Sequence, residues 1–343
     1  MRIVFALLLF FATTSLLAQR NITIQEKLGY PRSTKLLIIH ADDLGVSHSE
    51  NEASIAGFEK GVVNSGSIMV PCPWFPEMAA YSVAHPQVDL GLHFTLNSEW
   101  RLYKWGPVLP RTEVPSLIDG QGFLCDNVAD LAAKAKVEEV DKELRAQVER
   151  AKQFGIDPTH FDLHMFALAR VIEFAKVYIR LGHDYRVPTL LNAIPAKVRI
   201  ELKDYISEND VVADKIFVAL PADFKGGMKN YYTKAIKSLS PGLNVVLLHA
   251  AYDNSEMQAM TVDHPVYGAA WRQADIDFFT SEECKKLLKL ENIQLVTWRE
   301  IRDKITRRTP SSAIDHSRQA LNGSRHKPKS LAPIQRESPI PVP

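Results

Sequence analysis

Cysteine is scarce in this chain of 343 residues, which contains only Cys72, Cys125 and Cys284. An odd number of cysteines at wide spacing excludes a framework of several disulfide bonds and leaves room for one bond at most. Because no two cysteines form a CxxC pair, a zinc site built from thiolates is excluded as well. We therefore expect buried, unreactive thiols at all three positions.

An excess of charge of one sign is lacking too, because 41 lysine and arginine residues nearly balance 40 aspartate and glutamate residues. The net charge of +1 creates no field that would favour a nucleic acid or an anionic membrane as partner. Hydrophobic residues make up 46% of the chain, an ordinary share for a globular protein. The length suffices for one large core or two modest ones.

Three signatures of common enzyme classes are also missing. No GxGxxG motif follows the first predicted strand, which argues against a dinucleotide-dependent oxidoreductase. The absence of a Walker motif argues against P-loop phosphoryl transfer, and the absence of GxSxG argues against the serine nucleophile of α/β-hydrolases. Any catalysis must therefore use other polar residues.

The two ends of the chain differ from the rest in composition. An apolar run at residues 3–11, too short for a comfortable membrane span, follows Arg2 and precedes small residues up to Ala18. This pattern predicts a signal peptide over residues 1–18, and hence a secreted or periplasmic protein with no stable membrane anchor after cleavage. An uncleaved N-terminal anchor is the alternative. The Ser-, Pro- and Arg-rich residues 306–343 predict a disordered tail.

Between these ends, short apolar runs alternate with amphipathic helical stretches. This alternation predicts parallel β-α-β units, and about seven strands fit an α/β fold, a (β/α) barrel of the TIM type that is complete, distorted or incomplete. We predict one such domain over residues 19–305, with a helix at 128–154 and an excursion at 97–130 that walls a substrate site. The predicted strands are residues 36–39, 65–70, 88–94, 159–164, 244–249 and 294–298, and residues 187–191 and 215–220 are further strand candidates.

Carboxylates and imidazoles end four of these strands: Asp42 with Asp43, then His93, then His160 with Asp162 and His164, and finally His249. In α/β folds the carboxyl ends of parallel strands meet at the face where the chemistry lies. Each residue alone would more often be a helix cap or a satisfied core histidine. Their joint occurrence favours a functional site.

One carboxylate and two imidazoles can hold a metal ion and leave positions open for water and substrate. A metal held in this way polarises a carbonyl oxygen and lowers the pKa of a water molecule bound to it. A second aspartate can take the proton of that water, and a histidine can donate a proton to the leaving group. The pattern therefore predicts metal-assisted hydrolysis of an amide or an ester. The donor set suits Zn, Mn, Co or Ni, and suits Mg less well.

In this order the motifs resemble those of the YdjC-like carbohydrate deacetylases, a family that includes chitooligosaccharide deacetylases. The resemblance extends from about Lys35 to Asp303 and rests on residues 41–47, 66–69, 91–93, 159–164 and 247–249. It implies a barrel, often distorted, that removes an N-acetyl group from an amino-sugar-containing oligosaccharide and releases acetate.

The resemblance also implies a role for each matching residue. Asp43, His93 and His164 would bind a divalent metal, Zn or Mg, whose identity the sequence leaves open. Asp42 would be the base that acts on the water. His249 would be a proton donor or a substrate contact.

The chain departs from the family pattern at three places. His40 stands where the family commonly has asparagine, and Ala250 follows His249 where it commonly has proline. Met165 and Phe166 occupy positions where many members carry extra histidines. These departures leave the substrate contacts and the surroundings of the metal ligands open.

Other residues are candidates for substrate binding. Trp100 and Trp105 lie in the excursion and are predicted to stack on a sugar ring, with ordinary loop packing as the alternative. Arg272, near Asp275, is predicted to contact the substrate or to orient Asp42. A surface salt bridge is the alternative for this arginine.

Two other functions stay open at this stage. The same machinery could hydrolyse a different amide or an ester, because pocket shape decides the substrate. The barrel could also bind carbohydrate without catalysis. An N-acetylated saccharide is the expected partner, and the sequence leaves open whether the protein forms a homodimer.

Overall fold

The computed structural model describes residues 22–308. The predicted signal peptide, and the predicted tail from residue 309 onward, lie outside the described residues. Within them, no helix combines the length and the apolar character that crossing a membrane requires. Cys72, Cys125 and Cys284 all lie in this range and are buried and free, which confirms the expectation from their spacing.

The sheet consists of parallel strands in the described part of the chain. They are β1 (Lys35–Leu44), β2 (Ser65–Ile68), β3 (Leu90–Phe94), β4 (Phe161–Leu163), β5 (Lys215–Phe217), β6 (Gly242–His249) and β7 (Ile293–Leu295). Their order is β4-β3-β2-β1-β6-β5, and β7 pairs with the first residues of β1. All pairs are parallel, as the alternating pattern predicted.

Most helices lie between strands along the chain, while the first helix precedes β1 and the last follows β7. They are α1 (Ile24–Leu28), α2 (His48–Lys60), α3 (Phe75–Ala84), α4 (Val128–Lys134), α5 (Val137–Gln153), α6 (Ile172–Tyr185), α7 (Ala196–Glu201), α8 (Pro221–Gly226), α9 (Met228–Lys237), α10 (Ser255–Met260), α11 (Ala269–Thr280), α12 (Glu282–Leu290) and α13 (Trp298–Ile301). Shorter helical turns cover His164–Ala169, Leu191–Ala193, Lys203–Tyr205 and Arg302–Thr306.

The sheet is an incomplete barrel. Among the described residues, no ladder joins its outer strands β4 and β5. Instead, the side-chain amide of Asn192 donates to the Ala213 carbonyl and accepts from the Ala213 amide. The α/β class and the parallel sheet are confirmed, and the sheet forms a half-barrel rather than a full TIM barrel.

Several predicted strands are shorter in the structure, and three predicted elements differ from it more clearly. The helix expected over 128–154 is two helices, because Ala135 and Lys136 adopt extended backbone conformations. The strand expected over 187–191 is a single bridge between Thr189 and Phe161. The Leu190 amide there donates both to the Phe161 carbonyl and to the Tyr178 hydroxyl, which itself donates to the Phe161 carbonyl. The strand expected over 294–298 ends at residue 295, and α13 begins at residue 298.

Strand β1 passes through the centre of the fold and is buried on both faces. Leu37 and Ile39 pack in one apolar cluster, and Leu36 and Ile38 pack in another. This explains why the strand reads as an unbroken apolar run. Because side chains alternate along a strand, His40 continues the face of Leu36 and Ile38, and the next residue on that face is an aspartate.

Candidate active site

Two adjacent carboxylates at the end of β1 line the same cavity, although neighbours on a regular strand point to opposite faces. The pairing of β1 with β2 shifts register between Ala41 and Leu44. Asp43 adopts a left-handed backbone conformation with φ of 66°. Such an irregularity re-aims a side chain, and for a residue other than glycine it costs about 1–3 kcal/mol. The strained backbone thus brings Asp43 to the side of Asp42.

The cavity has a volume of about 240 Å³ and lies at the carboxyl ends of the strands. Most of the predicted site residues line it: Asp42, Asp43, His93, Trp100, His164, His249 and Arg272. Glu99, from the excursion that was predicted to wall a substrate site, lines it as well. The sequence therefore predicted correctly which strand ends meet, while the roles of the residues stay predictions.

Asp43, His93 and His164 are close enough to hold one metal ion. Asp43 Oδ1 lies 3.3 Å from His93 Nε2 and 3.2 Å from His164 Nδ1. Two atoms that each bind one metal at about 2.1 Å, at tetrahedral or octahedral angles, are about 3.0–3.4 Å apart. All three side chains are buried, and their ligand atoms form a candidate metal group. The spacing and the donor types both fit a divalent metal.

Each of the two histidines has a carboxylate behind it. His93 Nδ1 lies 2.7 Å from Asp162 Oδ1, and His164 Nε2 lies 3.0 Å from Glu99 Oε2. A ring nitrogen that donates to a carboxylate leaves the other nitrogen free for the metal and fixes the ring orientation. Asp162 and Glu99 thus support the ligands.

The charges around this group compensate one another. Burial opposes protonation of His93, but Asp162 and Asp42 outweigh it and raise the pKa of His93 well above its usual value. Burial likewise opposes protonation of His164, but Glu99 and Asp43 raise its pKa to about 9. Burial would raise the pKa of Asp43, but Arg272 and the two imidazoles hold it well below its usual value.

Metal binding should therefore release protons. Without metal, the raised pKa values keep His93 and His164 protonated at pH 7, and a metal must displace those protons. Affinity should rise with pH by about tenfold per unit for each displaced proton, and level off above the pKa values. Calorimetric titration of chelator-treated protein with Zn²⁺, in buffers of different ionisation enthalpy, counts the protons. A pH-independent affinity between pH 6 and 8 would contradict the arrangement.

The two predicted catalytic residues, Asp42 and His249, are neighbours on the adjacent strands β1 and β6. Asp42 Oδ2 lies 3.8 Å from His249 Nε2. Burial lowers the pKa of His249 to about 4, so that the ring is neutral at pH 7. The His249 amide donates to the Asp275 carboxylate, which also accepts from the Tyr232 hydroxyl. His249 therefore carries a neutral imidazole, and Asp275 holds its backbone.

Arg272 forms a buried ion pair rather than the surface salt bridge that was the alternative for it. The guanidinium is 2% exposed and donates to Asp43 Oδ2 at 2.8 Å and to Glu50 Oε2 at 2.7 Å. It contacts the candidate metal ligand Asp43 and not Asp42. Burial raises the pKa of Glu50 to about 8, and Arg272 opposes that rise. Arg272 thus neutralises charge beneath the cavity, and it also forms part of the cavity wall.

The two tryptophans lie in different places. Trp100 lines the cavity, and the Arg272 guanidinium lies 5.5 Å from its ring centroid. Trp105 is buried behind the wall, where its indole N–H donates to the Asn97 carbonyl. The ring of Trp105 meets that of His164 edge-on at 6.3 Å. This placement matches the loop-packing alternative for Trp105, whose role in sugar binding stays a prediction.

Several residues of the site were missed or left without a role in the sequence. Glu50 and Glu99 belong to no motif, and Asp162 lies within a motif but received no role. His264 and Tyr267, which also line the cavity, lie in the loop before α11. Only their position after strands or between helices could have indicated them.

Comparison with known sequences identifies a matching protein family and several related proteins. The model of the YdjC-like protein family matches residues 36–290. A carbohydrate deacetylase of Thermus thermophilus is 30% identical over 286 residues, which cover 81% of this chain and 97% of that protein. A chitooligosaccharide deacetylase of Yersinia pestis is 35% identical over 133 residues, which cover 38% of this chain and 49% of that protein.

A solved structure supports the fold. The crystal structure of a protein from Enterococcus faecalis, proposed to be a cellobiose-phosphate cleavage protein, is similar with a TM-score of 0.67. The two chains are 24% identical, and the similarity covers 78% of this chain and 99% of the other. At that identity the likeness concerns the fold alone.

Proposed function

Because the chain belongs to the YdjC-like family, we propose that it is a metal-dependent carbohydrate deacetylase that removes N-acetyl groups from amino-sugar-containing oligosaccharides. The observation that carries the proposal is the placement of Asp42 beside the group formed by Asp43, His93 and His164. A relative named carbohydrate deacetylase, which matches over nearly its whole length, supports it.

Asp43, His93 and His164 would hold the divalent metal, zinc or magnesium, in this proposal. When bound, the metal would polarise the acetyl carbonyl and acidify the attacking water. Asp42 would take a proton from that water, since it lines the cavity and its Oδ2 lies on the side of His249. The proton that Asp42 takes from the water would supply the proton that the departing amine nitrogen requires. His249, whose Nε2 lies 3.8 Å from Asp42 Oδ2, would receive that proton from Asp42 and pass it to the nitrogen, which returns the ring to its neutral state.

The cavity would hold one acetamido sugar rather than a long glycan. Its volume of about 240 Å³ is smaller than the roughly 300–1,000 Å³ of pockets that enclose drug-sized ligands. Trp100 and Tyr267 contribute aromatic walls, which suit the apolar faces of a sugar ring. Arg272 would contact the bound sugar or act through Asp43. Further sugar units would extend out of the cavity mouth.

Acetate release from di-N-acetylchitobiose and from a panel of N-acetylated and O-acetylated glycans tests the proposal. We expect release that requires an added divalent metal and stops with a chelator. The substrate that releases acetate fastest would begin to define the specificity. Absence of release from every glycan, with metal demonstrably bound, would contradict the proposal and favour a different scissile bond or carbohydrate binding alone.

We also propose that the enzyme acts outside the cytoplasm, in the periplasm or medium. The supporting feature is the signal-peptide pattern of residues 1–18. N-terminal sequencing of the protein exported by its host would test this, with cleavage near residue 18 expected.

A further inference from the structure

A buried histidine that does not belong to the ligand group contacts two of the carboxylates around it. His40 is 1% exposed and lies on β1, two residues before Asp42. Its Nε2 atom lies 2.8 Å from Asp162 Oδ2 and 3.1 Å from Asp42 Oδ1. Asp162 in turn accepts from His93. One ring nitrogen therefore lies between the proposed base and the carboxylate that supports a metal ligand.

The surroundings of Nε2 require a proton on that atom. The Asp162 carboxylate accepts from His93 through Oδ1 and from Ser67 through Oδ2, so it presents acceptor atoms to the ring. Ser67 Oγ, which lies 3.1 Å from Nε2, already donates its proton to Asp162. Asp162 Oδ2, at 2.8 Å, and Ser67 Oγ therefore both act as acceptors for Nε2 of His40.

The same argument applies to the other ring nitrogen. His40 Nδ1 lies 3.0 Å from Ser65 Oγ. Ser65 also interacts with the Asp89 carboxylate, whose two oxygen atoms accept the amides of Trp298 and Arg299. When the Ser65 hydrogen is directed towards Asp89, Ser65 Oγ is left as an acceptor for Nδ1. Both ring nitrogens then donate, and a ring in which both donate is an imidazolium with a positive charge.

The two oxygen atoms of Asp42 have different surroundings. Oδ1 is buried beside the His40 ring, and no described residue donates a well-aligned hydrogen bond to it. Oδ2 points towards His249 on the neighbouring strand β6. Attraction to the imidazolium therefore fixes one oxygen and leaves the other free to accept a proton.

We propose that His40, as a permanently charged imidazolium, is the positioning residue that orients Asp42 and Asp162 together. The inference rests on the proposed function, in which Asp42 is the base. His40 touches neither the cavity nor a metal ligand, and it acts through the two carboxylates that it bridges. Burial opposes this charge, but the neighbouring Asp162 and Asp42 carboxylates raise the pKa of His40 to about 9.

The charge state can be measured without any enzyme activity. Full-length protein labelled with ¹⁵N-histidine, both metal-free and loaded with Zn²⁺, would be studied at pH 7 by long-range ¹H–¹⁵N correlation. The His40 signals would be identified by their absence from His40→Gln. We expect the imidazolium pattern, with both ring nitrogens protonated. One unprotonated ring nitrogen would overturn the proposal, whether or not the protein is a deacetylase.

Substitution separates positioning from a purely structural role. In His40→Gln an amide can donate to Asp162 but provides no charge to Asp42. We expect kcat per bound zinc to fall by about 10- to 100-fold, with KM changed less than threefold, and His40→Ala to be worse than His40→Gln. His183→Gln, at a half-exposed histidine paired with Asp210, is the matched control.

The possible outcomes are distinct. Unchanged kcat in folded, zinc-bound His40→Gln would overturn the positioning role, even if the variant were less stable. If the unsubstituted protein releases no acetate, the proposed function fails, and the nitrogen signals alone then decide whether His40 is charged.

Discussion

Replacing Asp42 with asparagine should abolish turnover while leaving the metal bound. The change removes a proton acceptor but keeps the shape of the side chain, and general-base catalysis typically contributes about 10²- to 10⁴-fold. Asp42 does not belong to the group of Asp43, His93 and His164, so the affinity for Zn²⁺ should change less than threefold. Steady-state acetate release and calorimetric titration of the same preparation measure both quantities.

A ligand variant gives the opposite pattern. His93→Ala removes one of the three candidate ligands, so metal affinity and activity should fall together. Asp184→Asn, at a partly exposed aspartate that pairs with Arg145, is the matched control and should behave as the unsubstituted protein. Full activity in both Asp42→Asn and His93→Ala would show that the site is assigned wrongly.

The sequence could predict which strand ends would meet because that depends on topology alone. Parallel strands bring their carboxyl ends to one edge, whatever the exact length of each strand. Asp42 and His249, about 200 residues apart in sequence, are register partners on neighbouring strands β1 and β6. Their placement followed from recognising two buried apolar runs, each ended by polar residues.

The supporting residues could not be predicted in this way. Glu99 reaches His164 because the excursion after β3 folds back over the cavity, and no periodic pattern encodes that path. The left-handed backbone of Asp43 is equally invisible in a sequence, because an aspartate is compatible with both a regular and an irregular strand end. Without that irregularity, the alternation of β1 would have placed Asp43 away from Asp42.

The buried state of Arg272 depends on partners more than 200 residues away in the chain. Helix α11 carries Arg272 and Asp275 on buried positions, so the helix lacks the clean polar face that identifies exposed charges. From the sequence alone, an arginine in such a helix is predicted to be exposed unless its carboxylate partners are known. Here Glu50, from α2, and Asp43, from β1, are those partners.

Replacing Arg272 with methionine should therefore destabilise the protein by about 3–5 kcal/mol, because removing one partner of a buried ion pair leaves uncompensated charge. Arg272 serves two carboxylates, so its loss should cost more than that of Glu50→Gln, which leaves the guanidinium paired with Asp43. Urea unfolding of chelator-treated protein measures the free energy of unfolding. Arg180→Met, at a half-exposed arginine, is the matched control and should change stability by less than about 1 kcal/mol.

The double variant and the pH dependence identify the cause. Glu50→Gln in the Arg272→Met background should recover part of the loss at pH 8.5, where folding otherwise has to bury the Glu50 charge or place a proton on it, and little of the loss at pH 5.5. Burial raises the pKa of Glu50 from 4.5 to about 8 in the folded protein. Between these pH values Glu50 is protonated in the folded state and ionised in the unfolded state. The free energy of unfolding therefore falls as the pH rises from 4.5 to about 8. Without Arg272 that pKa should rise further, and the cost of Arg272→Met should be larger at pH 8.5 than at pH 5.5. An equal cost at both pH values, with no recovery in the double variant, would mean that Arg272 stabilises the fold by packing rather than by charge.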